Sequence, residues 1–598
     1  MKDAIIKLLT LINKNEKKKL VILLFMMIIA ALFETLGIGL IVPFVGIVTN
    51  PSIIQEQASL SYIYNLFNFN STTSFIISAV VTLLIVFIVK NLYLLLFQYA
   101  QSRVILNQQV KMSGRLFKEY LTKPYSFHLQ RNSATLLRNV NREVSKVFNG
   151  IVMSGFHLLT EILIISFILV LLIVTSPIAT IIVTFLLGGC VLLFFKFFRK
   201  KISELGQEQR EIGAVLIKWV NQGLGASKEV KVTGKEDFFV NAYSKQNQIM
   251  AKNSIFMRIL ELVPRLFIET VLVLIVLLMM MMIVFQEIDT TELVSTMALF
   301  AMAAFRLMPS INRVVGLITN IRYNEPALSI IYEDLFMNRD QIVSQEMKDN
   351  YITKLPSVFG KRSFTKEIKL VNVSFRYPNQ KNLSVNDVSL SIPIGKSVAF
   401  IGESGAGKTT IVDIILGLFE PEKGSVMVDG KNLFEQRALW QQKIGYIPQS
   451  IYLSDDTIRG NVAFGVESTQ IKDEDVWRAL EQAQLKEYVE SLPDKLETNV
   501  GERGVRLSGG QRQRIGIARA LYNNPEILFM DEATSALDND TEKDIMRAFD
   551  GLKGEKTLII IAHRISTIEN CDIVYKISNG KLVSTTSNLE QTRMFSSM

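Results

Sequence analysis

Along the first 320 or so positions, apolar residues come in runs too long for the helices of a soluble core. Six of them, roughly 20–48, 74–98, 150–175, 177–198, 262–286 and 292–318, reach the about 20 residues a helix needs to cross a bilayer. The polar stretches between them sort by charge. Residues 50–73, 175–178 and 286–291 hold no Lys or Arg, whereas 100–149 and 199–258 are long and basic, and KNEKKK (14–19) precedes the first run. Basic flanks stay in the cytoplasm, so the N-terminus, both long connections and the C-terminal half are expected there. Those connections are not loop-like. ILNQQVKMSGRLFKEYLTK (105–123) and ISELGQEQREIGAVLIKWVNQGL (202–224) mix apolar and charged positions at helical spacing, which predicts membrane helices continuing into the cytosol. Short turns near 124–133 and 223–231 would end them, able to dock on a cytosolic partner. Outside, SLSYIYNLFNF (59–69) predicts an interfacial helix, with an ordered loop as the plain alternative.

Past Asp340 the period changes. Short β-rich runs such as KEIKLVNVSF and SVAFIGESG alternate with helical ones, which predicts an α/β domain with a mainly parallel sheet. The expected organisation is a polytopic α-helical membrane domain of six spans at 1–340, a linker at 341–365 and a C-terminal α/β domain at 366–598.

Composition agrees and excludes alternatives. A chain of 598 residues is too long for one compact domain. It is 49% apolar and only 20% charged, and its apolar residues crowd the first half. The net charge of +9 does not indicate nucleic acid, because many Lys and Arg sit beside apolar runs. Cys190 and Cys571 form no disulfide framework. The run from Leu20 to Val48 exceeds the core of a cleavable signal and reads as a retained span.

The candidate chemistry lies in the second half. SVAFIGESGAGKTTIVDIILGL (397–418) reads as strand, glycine-rich loop and helix, fitting G-x-x-x-x-G-K-[ST] at Gly402, Gly407, Lys408 and Thr409. Glycines let backbone N–H groups turn toward phosphates at the positive end of the following helix. Lys408 is expected on the β- and γ-phosphates and the Thr409 hydroxyl on Mg2+, with Glu403, Ser404, Gly405, Ala406 and Thr410 completing the loop. EILFMDEA (526–533) is an apolar strand ending in two carboxylates. Asp531 is suited to hold Mg2+, and Glu532 to polarise the attacking water. LSGGQ (507–511) places Ser508, Gly509, Gly510 and Gln511 at the start of a further helix, a second phosphate-binding N-terminus. Its position in the chain does not suit the nucleotide held by Lys408.

This set resembles, motif for motif, the ATP-binding cassette of ABC transporters, a P-loop NTPase fold. The resemblance implies that Tyr377 in FRYP stacks on adenine and that Gln449 in YIPQ links Mg2+ and water to the membrane domain. It also implies that Asp538 of SALD belongs to the ATP site, that His563 of IAHR contacts the γ-phosphate, and that GERG (501–504) touches the coupling helices. A core tyrosine and a structural histidine are the plain alternatives for Tyr377 and His563. One cassette per chain implies a homodimer with two composite ATP sites, and a fused membrane domain implies an exporter.

Basic residues inside the apolar runs remain to be placed. Counting about 1.5 Å per residue from the outer ends, Lys90 lies roughly 25 Å deep, Arg306 roughly 20 Å, and Arg265 and Arg313 roughly 30 Å. Arg265 has Glu261 and Glu269 at i−4 and i+4, so an intrahelical pair competes with a ligand role. Arg313 has snorkelling to the inner interface as its alternative. Lys90 and Arg306 lack a local acid, although Glu34 or Glu161 on other spans could neutralise them. LFETLGIGLIVPFVG (32–46), VPRLFIE (263–269) and AFRLMPSINR (304–313) resemble the membrane domain of PglK-type flippases of lipid-linked oligosaccharides. That resemblance implies a bacterial inner-membrane location, a pyrophosphate attracted by Lys90, Arg265, Arg306 and Arg313, and a polyprenyl tail on the outer helix. Export of other amphipathic lipids, drugs or peptides is the transporter alternative. A cassette that gates a channel or regulates another complex is the alternative of another class, disfavoured because Glu532 is in place.

Overall fold

The computed structural model describes residues 2–11, 14–49, 51–69, 71–175, 177–286, 290–337, 364–378, 380–531 and 571–587, with 554–562 and a few single positions between. The chain falls into two compact units: Met1–Lys123 with Arg131–Asp340, and Pro124–Gln130 with Gln341–Met598.

The first unit is built from long helices: Lys14–Thr49, Thr72–Thr122, a helical stretch over 133–175, Pro177–Gly225, Glu236–Gln286 and Thr290–Tyr332. Thr72–Thr122 has 51 residues, so its axis runs roughly 75 Å, well beyond a bilayer. It starts at Ser71, whose hydroxyl accepts the Ser74 N–H. Pro177 opens its helix at the position where a missing N–H costs nothing. Glu16–Gly37, Thr72–Thr122 and Ser133–Val170 are each long and apolar enough to cross a membrane; the other three runs include side chains outside the described residues. Helix Ala58–Leu66 occupies the expected outer segment.

Three features were not foreseen. Lys2–Leu11 forms its own helix, buries Leu11 and donates from Lys7 Nζ to Ser329 Oγ at 3.4 Å. The turns expected near 124–133 and 223–231 are themselves short helices, Tyr125–Gln130 and Ser227–Thr233, the second closed by left-handed Gly234. Helix 133–175 is π-helical over Asn139–Glu143 and Lys146–Met153. That widened stretch carries a buried polar cluster. The Tyr120 hydroxyl donates to Asp334 at 2.5 Å, Asn139 Nδ2 donates to Asp334 at 3.1 Å, and Arg138 donates to the Arg210 carbonyl at 3.0 Å. Four helical segments are thereby pinned together.

The second unit holds two sheets among the described residues. A six-stranded sheet has the order β10-β9-β3-β8-β7-β6, made of β3 (Ser397–Ile401), β6 (Ile444–Ile447), β7 (Ile527–Asp531), β8 (Thr557–Ile561), β9 (Ile573–Ser578) and β10 (Lys581–Ser587). Its inner pairs are parallel, and β10 runs antiparallel to β9. The β3, β7 and β8 strands are nearly continuous apolar runs, as strands covered on both faces must be. The second sheet is four-stranded and antiparallel, β2-β1-β4-β5, from β1 (Glu367–Phe375), β2 (Val385–Pro393), β4 (Lys423–Val428) and β5 (Lys431–Asn432). A mainly parallel sheet was the expectation; this antiparallel layer is additional. Pro124–Gln130 belongs to this unit although its sequence neighbours do not, and the Tyr125 ring lies 5.7 Å from that of Phe419.

Candidate functional site

Strand β3 is central in the parallel sheet and delivers the chain to residues 402–407. Gly402, Gly405 and Gly407 take φ of +146°, +80° and +103°, the region that disfavours side chains. Packing demands glycine as well: a Cβ on Gly402 would stand 2.1 Å from the Ile577 carbonyl oxygen, and one on Gly407 2.7 Å from that of Ser384. The helix Lys408–Ile415 follows, with Gly407 as an N-cap that offers no side chain, so its first amides are left to a ligand. Lys408 is drawn in to 5% exposure and donates from Nζ to the carbonyls of Gly402 at 2.7 Å and Glu403 at 2.9 Å. Its ammonium is thus folded back over the loop. Thr409 is exposed beside it, and Thr410 is buried with its hydroxyl 3.1 Å from the hydroxyl of Tyr377.

Tyr377 is half-buried, its ring edge-on to Phe375 at 5.3 Å and Phe419 at 5.4 Å. Asp531 ends β7. Facing it is a residue that sequence reasoning missed, Asp413, on the helix that follows the phosphate loop. Burial and the charge of Asp531 push the Asp413 carboxyl up to about 7. Its one signal in the sequence was a lone acid within TTIVDIILG. Two carboxylates that repel each other beside a phosphate loop suit a divalent cation, which fits Mg2+ in this place. Gln449 is exposed just beyond β6. Glu532, Asp538 and His563 lie outside the described residues.

The LSGGQ segment begins the helix Gly509–Leu521 with a capping box: Ser508 Oγ accepts the Gln511 N–H at 3.2 Å, and Gln511 Oε1 accepts the Ser508 N–H at 2.9 Å. Between them, the amides of Gly509 and Gly510 have no intrahelical partner, as in any first turn. Two further arginines brace this helix. Arg512 donates to the Leu507 carbonyl at 3.0 Å and the Gly504 carbonyl at 3.5 Å, tying GERG to LSGGQ. Arg519 donates to the carbonyls of Tyr452 at 2.7 Å and Asn461 at 2.8 Å and lies over the Phe464 ring. Motif spacing alone did not single out either one.

In the first unit, Lys90 Nζ pairs with Glu34 on the preceding span, and both side chains are mostly shielded. Arg313 donates from Nε to Glu161 Oε1 at 2.6 Å and from Nη2 to Glu161 Oε2 at 3.1 Å, with Ser310 Oγ at 3.2 Å. Snorkelling therefore does not describe Arg313, since a bidentate carboxylate on another helix fixes it. Glu161 serves Arg313, and Glu34 serves Lys90. Arg265 and Arg306 fall on the helices Glu236–Gln286 and Thr290–Tyr332, but their side chains are outside the described ones. An apolar cavity of about 440 Å³ is lined by Leu40, Phe44, Leu60, Phe67, Phe75 and Val86 among others, Val86 being one helical turn before Lys90.

The ABC transporter transmembrane region matches residues 36–307, and the ABC transporter domain matches 385–535. An ATP-dependent lipid A-core flippase of Saccharophagus degradans is 31% identical over 493 residues, covering 81% of this chain and 80% of that one. Its counterpart in Haemophilus influenzae is 30% identical over 483 residues, covering 79% and 78%. A structure described as a bacterial Atm1-family ABC exporter with ATP bound superposes with a TM-score of 0.74 at 20% identity, covering 97% of this chain and 96% of that one, which is a likeness of fold. The chain is a multi-pass membrane protein of the ABC transporter family, an exporter with fused transmembrane and ATP-binding domains that couples ATP hydrolysis to transport.

Proposed function

We propose that the protein flips an amphipathic lipid bearing a phosphorylated saccharide headgroup across a bacterial inner membrane, with the cassette on the cytoplasmic side. One observation carries the reading. The apolar lining of the cavity follows the second span through Phe75, Ala79, Leu83 and Val86, and one turn beyond Val86 stands Lys90 with its partner Glu34. An apolar slot whose lining ends one helical turn short of a charge pair suits a lipid whose chain and anionic head are joined. The flippase names of the relatives from Saccharophagus degradans and Haemophilus influenzae support the same class. Within it, a polyprenyl-pyrophosphate-linked oligosaccharide is the specific candidate, its pyrophosphate drawn by Lys90, Arg265, Arg306 and Arg313.

Two chains would form two ATP sites, each from the phosphate loop of one and the LSGGQ of the other. The loop from Gly402 to Thr410 would wrap the phosphates, Tyr377 would carry the adenine, and Ser508 to Gln511 of the partner would close over the γ-phosphate with Asp538 nearby. Thr409, Gln449 and Asp531 would hold Mg2+, which neutralises phosphate charge. Glu532 would orient the attacking water and His563 contact the γ-phosphate.

The test is ATP-dependent translocation in proteoliposomes. Wild type is expected to move a polyprenyl-pyrophosphate oligosaccharide, Arg306→Ala to keep ATPase while losing movement, and Glu532→Gln to lose both by orders of magnitude. Movement of a multi-acyl saccharolipid alone would retain the flippase and replace the polyprenyl substrate. ATPase stimulated only by drugs or single-chain lipids would overturn the flippase.

A further inference from the structure

The last spanning helix carries another arginine in different circumstances. Arg322 is nine residues beyond Arg313, two and a half turns, so it leaves the opposite face of the helix. On that side the helix meets Pro177–Gly225 so closely that a Cβ on Gly206 would stand 2.2 Å from the Tyr323 carbonyl oxygen. The Arg322 guanidinium lies over the ring of Phe195, 5.4 Å from its centre. Its Nε is shut away from solvent with no hydrogen-bond partner. Arg199, one turn along from Phe195, presents a like charge to it. Among the described residues neither arginine has a carboxylate within 4 Å; Glu325, a turn along, acts on Arg322 only from farther off. Lys196, Lys200 and Lys201 are exposed around the pair, with Lys200 4.0 Å from Glu204.

Folding has here brought two cations together and stranded an N–H. Each is unfavourable unless an anion completes the set. The place is where the fourth apolar run (177–198) gives way to KK, among Phe194, Phe195, Phe197 and Phe198. Such a border of aromatic and basic side chains marks the cytoplasmic interface of a membrane. Two guanidinium groups offer planar forks that match phosphate oxygens.

We propose that Arg199 and Arg322, flanked by Lys196 and Lys200, bind the phosphate of an anionic lipid headgroup in the cytoplasmic leaflet. This site is distinct from Lys90 and Arg313 and does not depend on what is transported. Its occupant is a resident lipid that seals the junction between the fourth and last spanning helices.

The experiment uses the purified full-length chain in detergent and native mass spectrometry. It is titrated with short-chain phosphatidylglycerol, phosphatidylcholine or inorganic phosphate. Arg199→Gln with Arg322→Gln is compared with Lys228→Gln with Lys231→Gln, which removes the same charge from the helix Ser227–Thr233. Wild type and the control pair are expected to hold phosphatidylglycerol about tenfold more tightly than the Arg199/Arg322 variant does. Undiminished phosphatidylglycerol binding by that variant, or equal retention of phosphatidylcholine by wild type, overturns the proposal. Displacement by millimolar inorganic phosphate also overturns it, assigning the site to a free anion. Should the double variant lose thermal stability without lipid, Arg199→Gln alone is measured. A loss of about fivefold is then expected, and no loss overturns the site.

Discussion

Lys408 and Lys90 are both lysines withdrawn from solvent, yet they are held by different means. Lys408 is held by carbonyl oxygens of its own loop, five and six residues back along the chain. Lys90 is held by a carboxylate on another helix, 56 positions away in sequence. The phosphate loop places its charge with local backbone, which a short motif can encode. Within the spans, Lys90 and Arg313 are placed by pairing across helices, and no short motif encodes that. The same contrast separates Ser508 with Gln511, a box closed within four residues, from Arg313 with Glu161.

The largest effect that sharpens this contrast is in the loop. Lys408→Ala is expected to lower ATPase at least about 100-fold, measured as phosphate release, while the thermal midpoint moves little because Gly402 and Gly407 keep their backbone contacts. A midpoint falling by many degrees would show that the lysine also holds the loop together. In the membrane unit the order inverts. Glu34→Gln strands a shielded ammonium and is expected to cost about 3 kcal/mol of stability with basal ATPase retained. Adding Lys90→Met to Glu34→Gln should restore much of that loss, because neither group is then left unpaired; a double variant worse than either single one would break the pairing account. Glu161→Gln is expected to cost less, about 1–2 kcal/mol, since Arg313 is nearly half exposed.

A pH effect comes next. The Asp413 carboxyl, at about 7, lies above its unfolded value of about 3.9, so the folded chain holds the proton more tightly. The resulting stability is full below about pH 4 and is lost as pH rises toward 7. Asp413→Asn should therefore flatten the dependence of the thermal midpoint on pH between 4 and 7.5 in nucleotide-free, metal-free protein. An unchanged slope would show that burial and the charge of Asp531 do not raise this carboxyl. The smallest effect belongs to Arg322→Gln, expected to change stability by under about 1 kcal/mol in lipid-free detergent, where the contact with the Phe195 ring is lost but the like charge facing Arg199 is removed.

How much could be read beforehand follows the same division. The run lengths marked the spanning helices, and the shift from long runs to short alternating ones marked the cassette. The phosphate loop and the LSGGQ helix start were legible because each is a turn of chain with its chemistry in consecutive residues. Asp413 was hidden, since a helix acid gains meaning only when β7 brings Asp531 opposite. Arg519 was hidden for the same reason, as its partners are the carbonyls of Tyr452 and Asn461 on another segment; the Arg512 partners are close in sequence but are backbone carbonyls, which no side-chain pattern marks. The antiparallel sheet left a trace in the alternation of Val388, Leu390 and Ile392 along β2, but β1 interrupts its alternation after Leu370, where its register shifts, so the trace was too short to read as a separate layer. The π-helical stretches Asn139–Glu143 and Lys146–Met153 escaped because helical periodicity does not tell 3.6 residues per turn from slightly more. In the spans, Glu34 and Glu161 were visible as acids, but which cation each would serve depended on helix rotation.

The ring of Tyr125 against Phe419 has a practical consequence for anyone dividing this gene. The second unit is assembled from two separate stretches of polypeptide, so no single cut yields it whole. A fragment begun at residue 364 inherits every nucleotide motif yet forfeits one of its own walls, and Phe419 would face water where an aromatic neighbour belongs. Such a fragment should be stickier and less soluble than its motifs suggest, and grafting 124–130 back onto it is the natural remedy.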